Sequence, residues 1–511
     1  LESYDGKQVI QRSAKAGLNR PGKTVMKISV LASAVFLAAC SVKPVVISEN
    51  EHQARITEDK TQMYADQEAI TESLTLYQAM ARAIRYNLDH RLKVMEEALA
   101  SDMLEVSRLD MLPQLTYNAG YRGRNNYTGA SSRSLLDGTE SLVVSTSQEK
   151  ERLVGDLGLS WNILDFGVSY YRAKQQADRL MIVAERRRKV IHNIIQDVRG
   201  AYWRAVTAQR VLSDIEPLMA RMESALDAAR KVEKRGLQAP EESLSYQRRL
   251  LTSMRQLHEA RKELLTAKTE LATLMSLPAG TQFSLAETRA GLPEIGQSVT
   301  EMEELALLQR PELREEGYHN RISATEIKRT MASLMPSLTL NTTYSHDSNR
   351  YNYHSSWFDT SAMISGNLMD IFTMPQRMDV ARAQGEVVDT RRMALNMAVL
   401  SQVHISLINF AEASASYRTD NALDRVENRL LHHASSAASS NSGNELDVIE
   451  KEMNALLAEL YKGESYAEMQ TAYGQVYLSI GADPLPASIA NYDINTLADA
   501  LSSGEAGWAG K

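Results

Sequence analysis

Two stretches of the chain alternate apolar and polar side chains in nearly the same order. Residues 112–121 align without a gap with residues 335–344. Leu115 and Tyr117 in the first stretch match Leu338 and Leu340 in the second, and polar residues stand between them. A period of two predicts β-strands with one apolar and one polar face.

A second pair of similar segments follows the first. Residues 159–165 resemble residues 364–370, and the connection to the preceding strand is longer in the first copy. The chain is therefore predicted to contain one unit twice, each unit holding a strand pair in a helical context. We predict strands at 113–123 and 153–164, and again at 336–346 and 357–369.

Long helices are predicted after each strand pair. Residues 167–235 hold one proline, Pro217, and a continuous helix of that length would span about 100 Å. Residues 241–275 carry a heptad pattern typical of close helix packing, as does the corresponding part of the second unit. The turns of the two helical hairpins are predicted at 236–240 and 435–444. The heptad residues are Leu250, Leu257, Leu264 and Leu271, with Ser253, Ala260, Ala267 and Leu274, and then Leu446, Ile449, Met453, Leu456 and Leu460.

The N-terminal region has the pattern of a lipoprotein signal peptide. Met26 and Lys27 precede an apolar run at 28–36, which is followed by Leu-Ala-Ala-Cys ending at Cys40. Cys40 is the one cysteine among 511 residues, so no internal disulfide can form, and it is the predicted site of lipid attachment. Ser41 at the next position resembles the sorting signal of outer-membrane lipoproteins. We expect residues 1–25 to lie outside the fold.

Composition and charge narrow the class of protein. Charged residues make up 24% of the chain and the formal net charge is −7, which disfavours a nucleic-acid partner. We expect no membrane-spanning helix after Cys40, so a part that crosses a membrane must be a β-barrel. Four strands are too few to close a barrel, whereas three copies of the chain would supply twelve.

The order of these elements resembles the TolC family of outer-membrane efflux proteins over residues 74–485. The resemblance implies an α+β fold of two repeats, in which a homotrimer builds a 12-stranded barrel joined to a long periplasmic helical tunnel. Residues 1–39 would be the extension and signal peptide, 40–73 a lipidated segment, 74–295 and 296–485 the repeats, and 486–511 a flexible tail. The motifs that carry the resemblance are Tyr86-Asn87-Leu88, Met111-Leu112-Pro113, Leu334-Met335-Pro336, Arg310-Pro311-Glu312-Leu313, Gly236-Leu237 and Leu446-Asp447-Val448-Ile449-Glu450.

The implied function is passive conduction across the outer membrane. An inner-membrane pump, of the resistance or ABC type, and a periplasmic adaptor would supply the substrate, which could be a drug, a metal or a secreted polypeptide. The adaptor would contact the helical tips at Gly236, Leu237 and Gly443. Leu115, Tyr117, Trp161, Leu338 and Leu340 would face lipid, and the bore would be lined by Thr116, Asn118, Ser160, Asn162, Thr339, Asn341, Ser365 and Asn367.

The resemblance also implies a periplasmic gate formed by acidic residues just after the helical tips. Asp447 and Glu450 lie three residues apart, so both fall on one helical face, and a trimer would arrange each as a ring that favours cations. Glu242 follows the first tip and is a weaker candidate of the same kind. The alternative is that these acids merely favour the first turn of a helix. No arginine lies between Ser435 and Glu445 to form a lock at the second tip.

No residue set in the sequence predicts a catalytic centre, a metal site or a cofactor other than the lipid on Cys40. Met363, Met369, Met374 and Met378 are expected to fill gaps in packing rather than to carry soft metals. The basic run at 186–189 is expected to be a solvated or adaptor-facing stripe. The rival function is a lipid-anchored periplasmic coiled-coil scaffold or adaptor without transport, for which amphipathic strand pairs would have no use.

Overall fold

The two-copy pattern of the sequence becomes two copies of one series of helices and strands. The computed structural model describes residues 44–141, 143–163, 165–236, 239–287, 292–440, 445–486 and 491–509. The chain divides into two units, residues 1–65 and 66–511. In chain order the elements are α1 (Glu49–Met63), α2 (Leu76–Tyr86), α3 (Leu88–Leu109), β1 (Gln114–Gly123), β2 (Glu151–Asn162), α4 (Asp165–Lys234), α5 (Pro240–Leu274), α6 (Val299–Gln309), α7 (Pro311–Ser333), β3 (Ser337–Asp347), β4 (Ser356–Ser365), α8 (Asp370–Ser439), α9 (Glu445–Ser479) and α10 (Ile494–Ala509).

The first unit contributes α1, whose start is fixed by a capping box. The Ser48 hydroxyl accepts from the Glu51 amide, and the Glu51 carboxylate accepts from the Ser48 amide. The second unit holds the repeats, α2 to α5 and α6 to α9. Helices α4 and α8 are each 70 residues long, and α5 and α9 are each 35. A 70-residue helix is about 100 Å long, so both predicted long helices are confirmed.

The four strands form one antiparallel sheet in the order β1-β2-β3-β4. Leu159 of β2 lies opposite Leu115 of β1, and Leu340 of β3 lies opposite Trp161 of β2. Strands β1 and β4 are the edges, and among the described residues neither has a partner on its outer side. The strands begin and end within a few residues of the predicted bounds, except that β4 ends at Ser365 rather than at 369.

The helical hairpins are held by the predicted heptad residues. In α5 the side chains of Leu250, Leu257, Leu264 and Leu271 are all buried, and Ile449, Met453, Leu456 and Leu460 of α9 are buried as well. The side chain of Leu446 lies outside the described residues. Helices α4 and α9 also pack closely, because Gly463 leaves room for Thr207 and a β-carbon at Gly463 would overlap that threonine.

The second short helix of each repeat, α3 and α7, begins at one of the motifs quoted above. Asn87 caps α3 by accepting hydrogen bonds from the amides of Asp89 (2.9 Å) and His90 (3.2 Å). In the second repeat Pro311 is the first residue of α7, and the buried Arg310 guanidinium donates to Gln402 Oε1 at 2.8 Å. These motif residues therefore fix helix starts.

The expected flexible C-terminal tail is wrong for residues 494–509, which form α10. Leu497 and Leu501 of α10 are buried in the core cluster that also contains α2. Glu505 accepts two hydrogen bonds from the buried Arg199 of α4, at 3.0 and 2.6 Å. A bidentate pair of this kind fixes orientation, so α10 is an integral part of the fold.

Within the described residues, one helix is long and apolar enough to cross a membrane by length and composition, namely α8. The expectation that no stretch after Cys40 reaches the length of a membrane-spanning helix is therefore corrected for α8, as far as length and composition go. Helix α8 is this apolar because it carries two apolar rows, one buried and one exposed. Val399 and Val403 are buried in a core cluster with residues of α6 and α9, whereas Met397, Ile405 and Ile408 are exposed.

Candidate functional site

The strand register places most of the predicted bore residues on one face of the sheet. Asn341 lies opposite Ser160, and Thr339 lies opposite Asn162. Since side chains alternate along a strand, the same face carries every residue two positions away. The polar face thus collects Thr116, Asn118, Ser160, Asn162, Thr339, Asn341 and Ser365.

Asn367 does not belong to this face. It follows the end of β4, and its side-chain oxygen accepts from the amide of Met369 at 3.1 Å. Asn367 therefore shapes the turn into α8. Asparagine commonly bonds the backbone two residues ahead in this way, which explains why the alternating pattern stops at Ser365.

Charged side chains at the loop end of the polar face were missed in the sequence. Arg152 pairs with Asp347 across β2 and β3 at 2.7 Å. Asp156 stands opposite Asn118, and Asp359 accepts from the Trp357 indole N–H at 2.5 Å. The alternation of apolar and polar positions, extended to the strand ends, predicts these charged residues. Leu157 belongs to the apolar face, so its neighbour Asp156 must belong to the polar face. A conduit along this face would pass these charges.

The opposite face is apolar, and no other part of the described chain covers it. Its side chains are not packed on any core, as the exposed fractions of Tyr117 (82%) and Ile364 (73%) show. An uncovered apolar face of this extent marks a surface that meets lipid or another protein. Its exposed members include Leu115, Tyr117, Leu157, Leu159, Trp161, Leu340, Tyr344, Phe358 and Ile364.

The far ends of the helical hairpins carry the other predicted site residues. Gly236 lies in the turn after α4 with a backbone φ of +64°, a conformation that favours glycine. Glu242 is exposed in the first turn of α5, where Pro240 is the first residue. Leu237 and Gly443 lie outside the described residues, as does the lipidation candidate Cys40.

The two candidate gate acids differ in their surroundings. Asp447 is exposed, whereas Glu450 lies 3.6 Å from the guanidinium of Arg249 on α5. Burial raises the pKa of the neighbouring Tyr246 hydroxyl, and the charge of Glu450 raises it further. Thus the starts of α5 and α9 lie side by side. Arg249 was missed, although it follows Glu242 by one heptad, which would have indicated the same helical face.

The basic run at 186–189 is engaged by acids of the same chain rather than forming an open stripe. Arg186 pairs with Glu315 at 2.6 Å, Arg187 with Glu97 at 3.0 Å and Lys189 with Glu312 at 3.0 Å. These partners lie on α3 and α7. The run therefore ties α4 to the short helices of both repeats, and the expectation of a solvated or adaptor-facing stripe is corrected.

A second group of acids surrounds a cavity of about 440 Å³ between α4, α5 and α9. Burial raises the pKa of Glu464 to about 7, with further contributions from Glu263, Glu468 and Asp420. On α4, burial and the neighbouring Glu270 raise the pKa of Asp197. Like charges that are brought together disfavour ionisation, so burial and the neighbouring acids raise the pKa of both carboxyl groups. The cavity lining also includes Arg204.

Comparisons with known proteins agree with this geometry. Residues 87–276 match the family model described as outer membrane efflux protein. The fold is similar to the Campylobacter jejuni CmeC outer membrane channel, at 13% identity and a TM-score of 0.62, covering 82% of this chain and 90% of that one. It is similar to the open state of the Neisseria gonorrhoeae MtrE outer membrane channel, at 17% identity and a TM-score of 0.60, covering 80% and 88%.

A third similar structure is the outer-membrane channel OprN, at 16% identity and a TM-score of 0.59, covering 80% of this chain and 89% of that one. No curated protein matches the chain in sequence at a significant level. At these identities the structural comparisons establish a shared fold.

Proposed function

We propose, starting from the TolC-type channel fold of this chain and the efflux-family match of residues 87–276, that three copies form a passive duct across the outer membrane. One observation carries the proposal. A four-stranded antiparallel sheet shows one apolar face and one polar face, and its edge strands β1 and β4 have no outer partner within the described part of the chain. Open sheet edges are not stable in hydrocarbon, so the sheet must be closed into a barrel.

The strand directions fit closure by further copies. Adjacent strands are antiparallel throughout, so β1 and β4 run in opposite directions. Strand β4 of one copy can then pair antiparallel with β1 of the next. Eight strands leave a bore that side chains fill, whereas twelve strands from three copies leave room for a hydrated path.

Exposed apolar rows on the helices support the same assembly. Leu92, Met95, Leu99 and Met103 lie three or four residues apart on α3, and each is more than half exposed. These spacings make one continuous helical face. The exposed row on α8 that includes Met397, Ile405 and Ile408 is of the same kind. Neighbouring copies would cover both rows and build a helical tunnel below the barrel.

The proposed path runs from the helical tips to the loop end of the barrel. An inner-membrane pump of the resistance or ABC type would deliver substrate through a periplasmic adaptor that contacts the tips at Gly236. Lipid on Cys40 would anchor the N-terminus in the outer membrane. Asp447 and Glu450 would form acidic rings at the entrance, with Arg249 holding Glu450 in place. The duct itself needs no catalytic group, because the pump supplies the energy.

The rival reading is a lipid-anchored coiled-coil scaffold without transport. Such a scaffold would use the hairpins of α4, α5, α8 and α9, but an apolar sheet face with side chains as exposed as Tyr117 would lower its solubility. The amphipathic sheet therefore favours the duct.

Planar-bilayer recording of the purified protein tests the proposal. We expect discrete conductance steps from the trimer and none after heat denaturation. The same recording is made on a variant from which the tips of α4 and α5 have been removed. If that variant forms stable trimers and inserts into the bilayer, yet gives no conductance, the result contradicts transport and favours the scaffold.

A further inference from the structure

Two aspartates on the polar face of the sheet form no ion pair among the described residues. Asp156 of β2 stands opposite Ser345 of β3. Asp359 of β4 stands opposite Thr343 of β3, and its carboxylate accepts a hydrogen bond from the uncharged indole N–H of Trp357. No neighbouring base therefore offsets the charge of either carboxylate within the part of the chain that the structure describes.

The basic residues of the same face lie farther toward the loops. Arg122 and Arg152 stand opposite each other on β1 and β2, and Arg152 is paired with Asp347 at 2.7 Å. Arg152 precedes Asp156 by four residues on one strand, which is about 13 Å. Screening by salt has a length of about 10 Å at an ionic strength of about 0.1 M. The region around Asp156 is therefore acidic, and the arginines lie beyond it.

Three copies would distribute these aspartates around the bore, a step that rests on the proposed function. Asp156 is on β2 and Asp359 is on β4, so an aspartate stands on every second strand of the closed barrel. Strands about 4.8 Å apart place neighbouring acids about 10 Å apart across the strands. The backbone of a twelve-stranded barrel lies about 12 Å from its axis when the strands tilt by about 40°. Inward side chains lie closer, within about one screening length of an ion on the axis.

We infer that this acidic belt, defined as Asp156 and Asp359 of the three copies, makes the barrel favour cationic over anionic solutes. Rings of acidic side chains select cations in pores because they attract cations and repel anions. The belt is separate from the entrance acids Asp447 and Glu450, since the 70 residues of α4 span about 100 Å between the sheet and the helical tips. It acts on solute that has already passed the entrance.

Reversal of the charge at one belt position tests the inference. In a Cys40→Ser background, which removes the one native cysteine, Asp156→Cys is labelled with a methanethiosulfonate reagent that carries either a sulfonate or a trimethylammonium group. Mass spectrometry verifies complete labelling, and the reversal potential is recorded in planar bilayers under a salt gradient. At about 0.1 M mean ionic strength, the trimethylammonium form should have a cation-to-anion permeability ratio several-fold lower than the sulfonate form. The difference should vanish near 1 M, where the screening length is about 3 Å.

Leu157→Cys in the same background is the matched control, because Leu157 is the next residue and belongs to the apolar face. Neither reagent should change its reversal potential. Asp359→Cys is a second belt position and should respond as Asp156→Cys does. Equal reversal potentials for the two labelled forms at both belt positions, or an equal response at Leu157→Cys, would overturn the belt and leave the duct intact, because the channel still conducts. Absence of any conductance from the unlabelled parent would contradict the duct itself, and the belt with it.

Discussion

Replacing Glu464 by Gln should stabilise the protein at alkaline pH and leave it nearly unchanged at acidic pH. Glu464 lies on α9 and faces acids from two other helices, Glu263 of α5 and Asp420 of α8, and its pKa is raised from 4.5 to about 7. Glu468 on the same helix adds to this repulsion. The cavity therefore holds a carboxyl group that resists ionisation in the folded state.

The direction of the pH effect on stability follows from the difference in proton binding between the folded and the unfolded chain. The folded pKa lies above the unfolded one, so the folded chain binds the proton more tightly and stability falls as pH rises from about 4.5 to about 7. The full pKa difference corresponds to about 3 kcal/mol, and because Glu464 is partly exposed, solvent screening reduces this to about 1 kcal/mol per chain. Glutamine keeps the shape of the protonated acid but cannot ionise, so the Glu464→Gln variant does not lose this stability as pH rises.

Thermal unfolding of the purified protein at a fixed scan rate, at pH 5 and pH 8, measures the effect. The wild-type midpoint should fall between these pH values by more than the Glu464→Gln midpoint, and the two proteins should agree at pH 5. Glu223→Gln, at an exposed position of α4, is the matched control and should follow the wild type. An identical pH dependence in Glu464→Gln and wild type would refute the assignment of the proton to Glu464.

Three further predictions concern the barrel, the entrance and the anchor. Leu340→Arg on the apolar face should cost about 2 to 4 kcal/mol per chain and reduce trimer on gels far more than Asn341→Arg on the polar face; equal losses would reject the assigned faces. Asp447→Ala combined with Glu450→Ala should weaken cation selectivity and trivalent-cation block in single-channel recordings without loss of trimer, and unchanged values would place the constriction elsewhere. Cys40→Ser should abolish lipid on the mature protein by mass spectrometry, and a lipid-free wild type would show that this cysteine is not acylated.

Much of the fold could be read from local periodicity. The strand register follows from the alternation at Leu115 and Leu340, because a slip of one residue would exchange the apolar and polar faces of a strand. The hairpin core follows from the heptads at Leu250 and Leu257, which are buried as predicted. These signals are repeated many times along the chain, so single exceptions do not hide them.

The remaining features depend on partners far away in the sequence. Arg186 contacts Glu315 and Arg199 contacts Glu505, and no local pattern connects residues so far apart. Helix α10 is short and holds Gly504 and Gly507, both poor helix formers, so its two buried leucines give a weak signal. Asn367 lies where a strand pattern passes into a turn, and only the backbone bond to Met369 shows which one applies.

Disulfide trapping between β1 and β4 tests most directly the claim that other copies close the sheet. Two strands separate β1 from β4 within one chain, which places them about 14 Å apart, whereas a disulfide needs α-carbons within about 7 Å. In a Cys40→Ser background, Tyr117→Cys would be combined in turn with Thr360→Cys, Ala362→Cys and Ile364→Cys. We predict that oxidation of at least one pair gives reducible bands of two and three chains and none larger. Monomer alone for every pair, or a ladder that continues beyond three chains, would contradict the trimeric barrel.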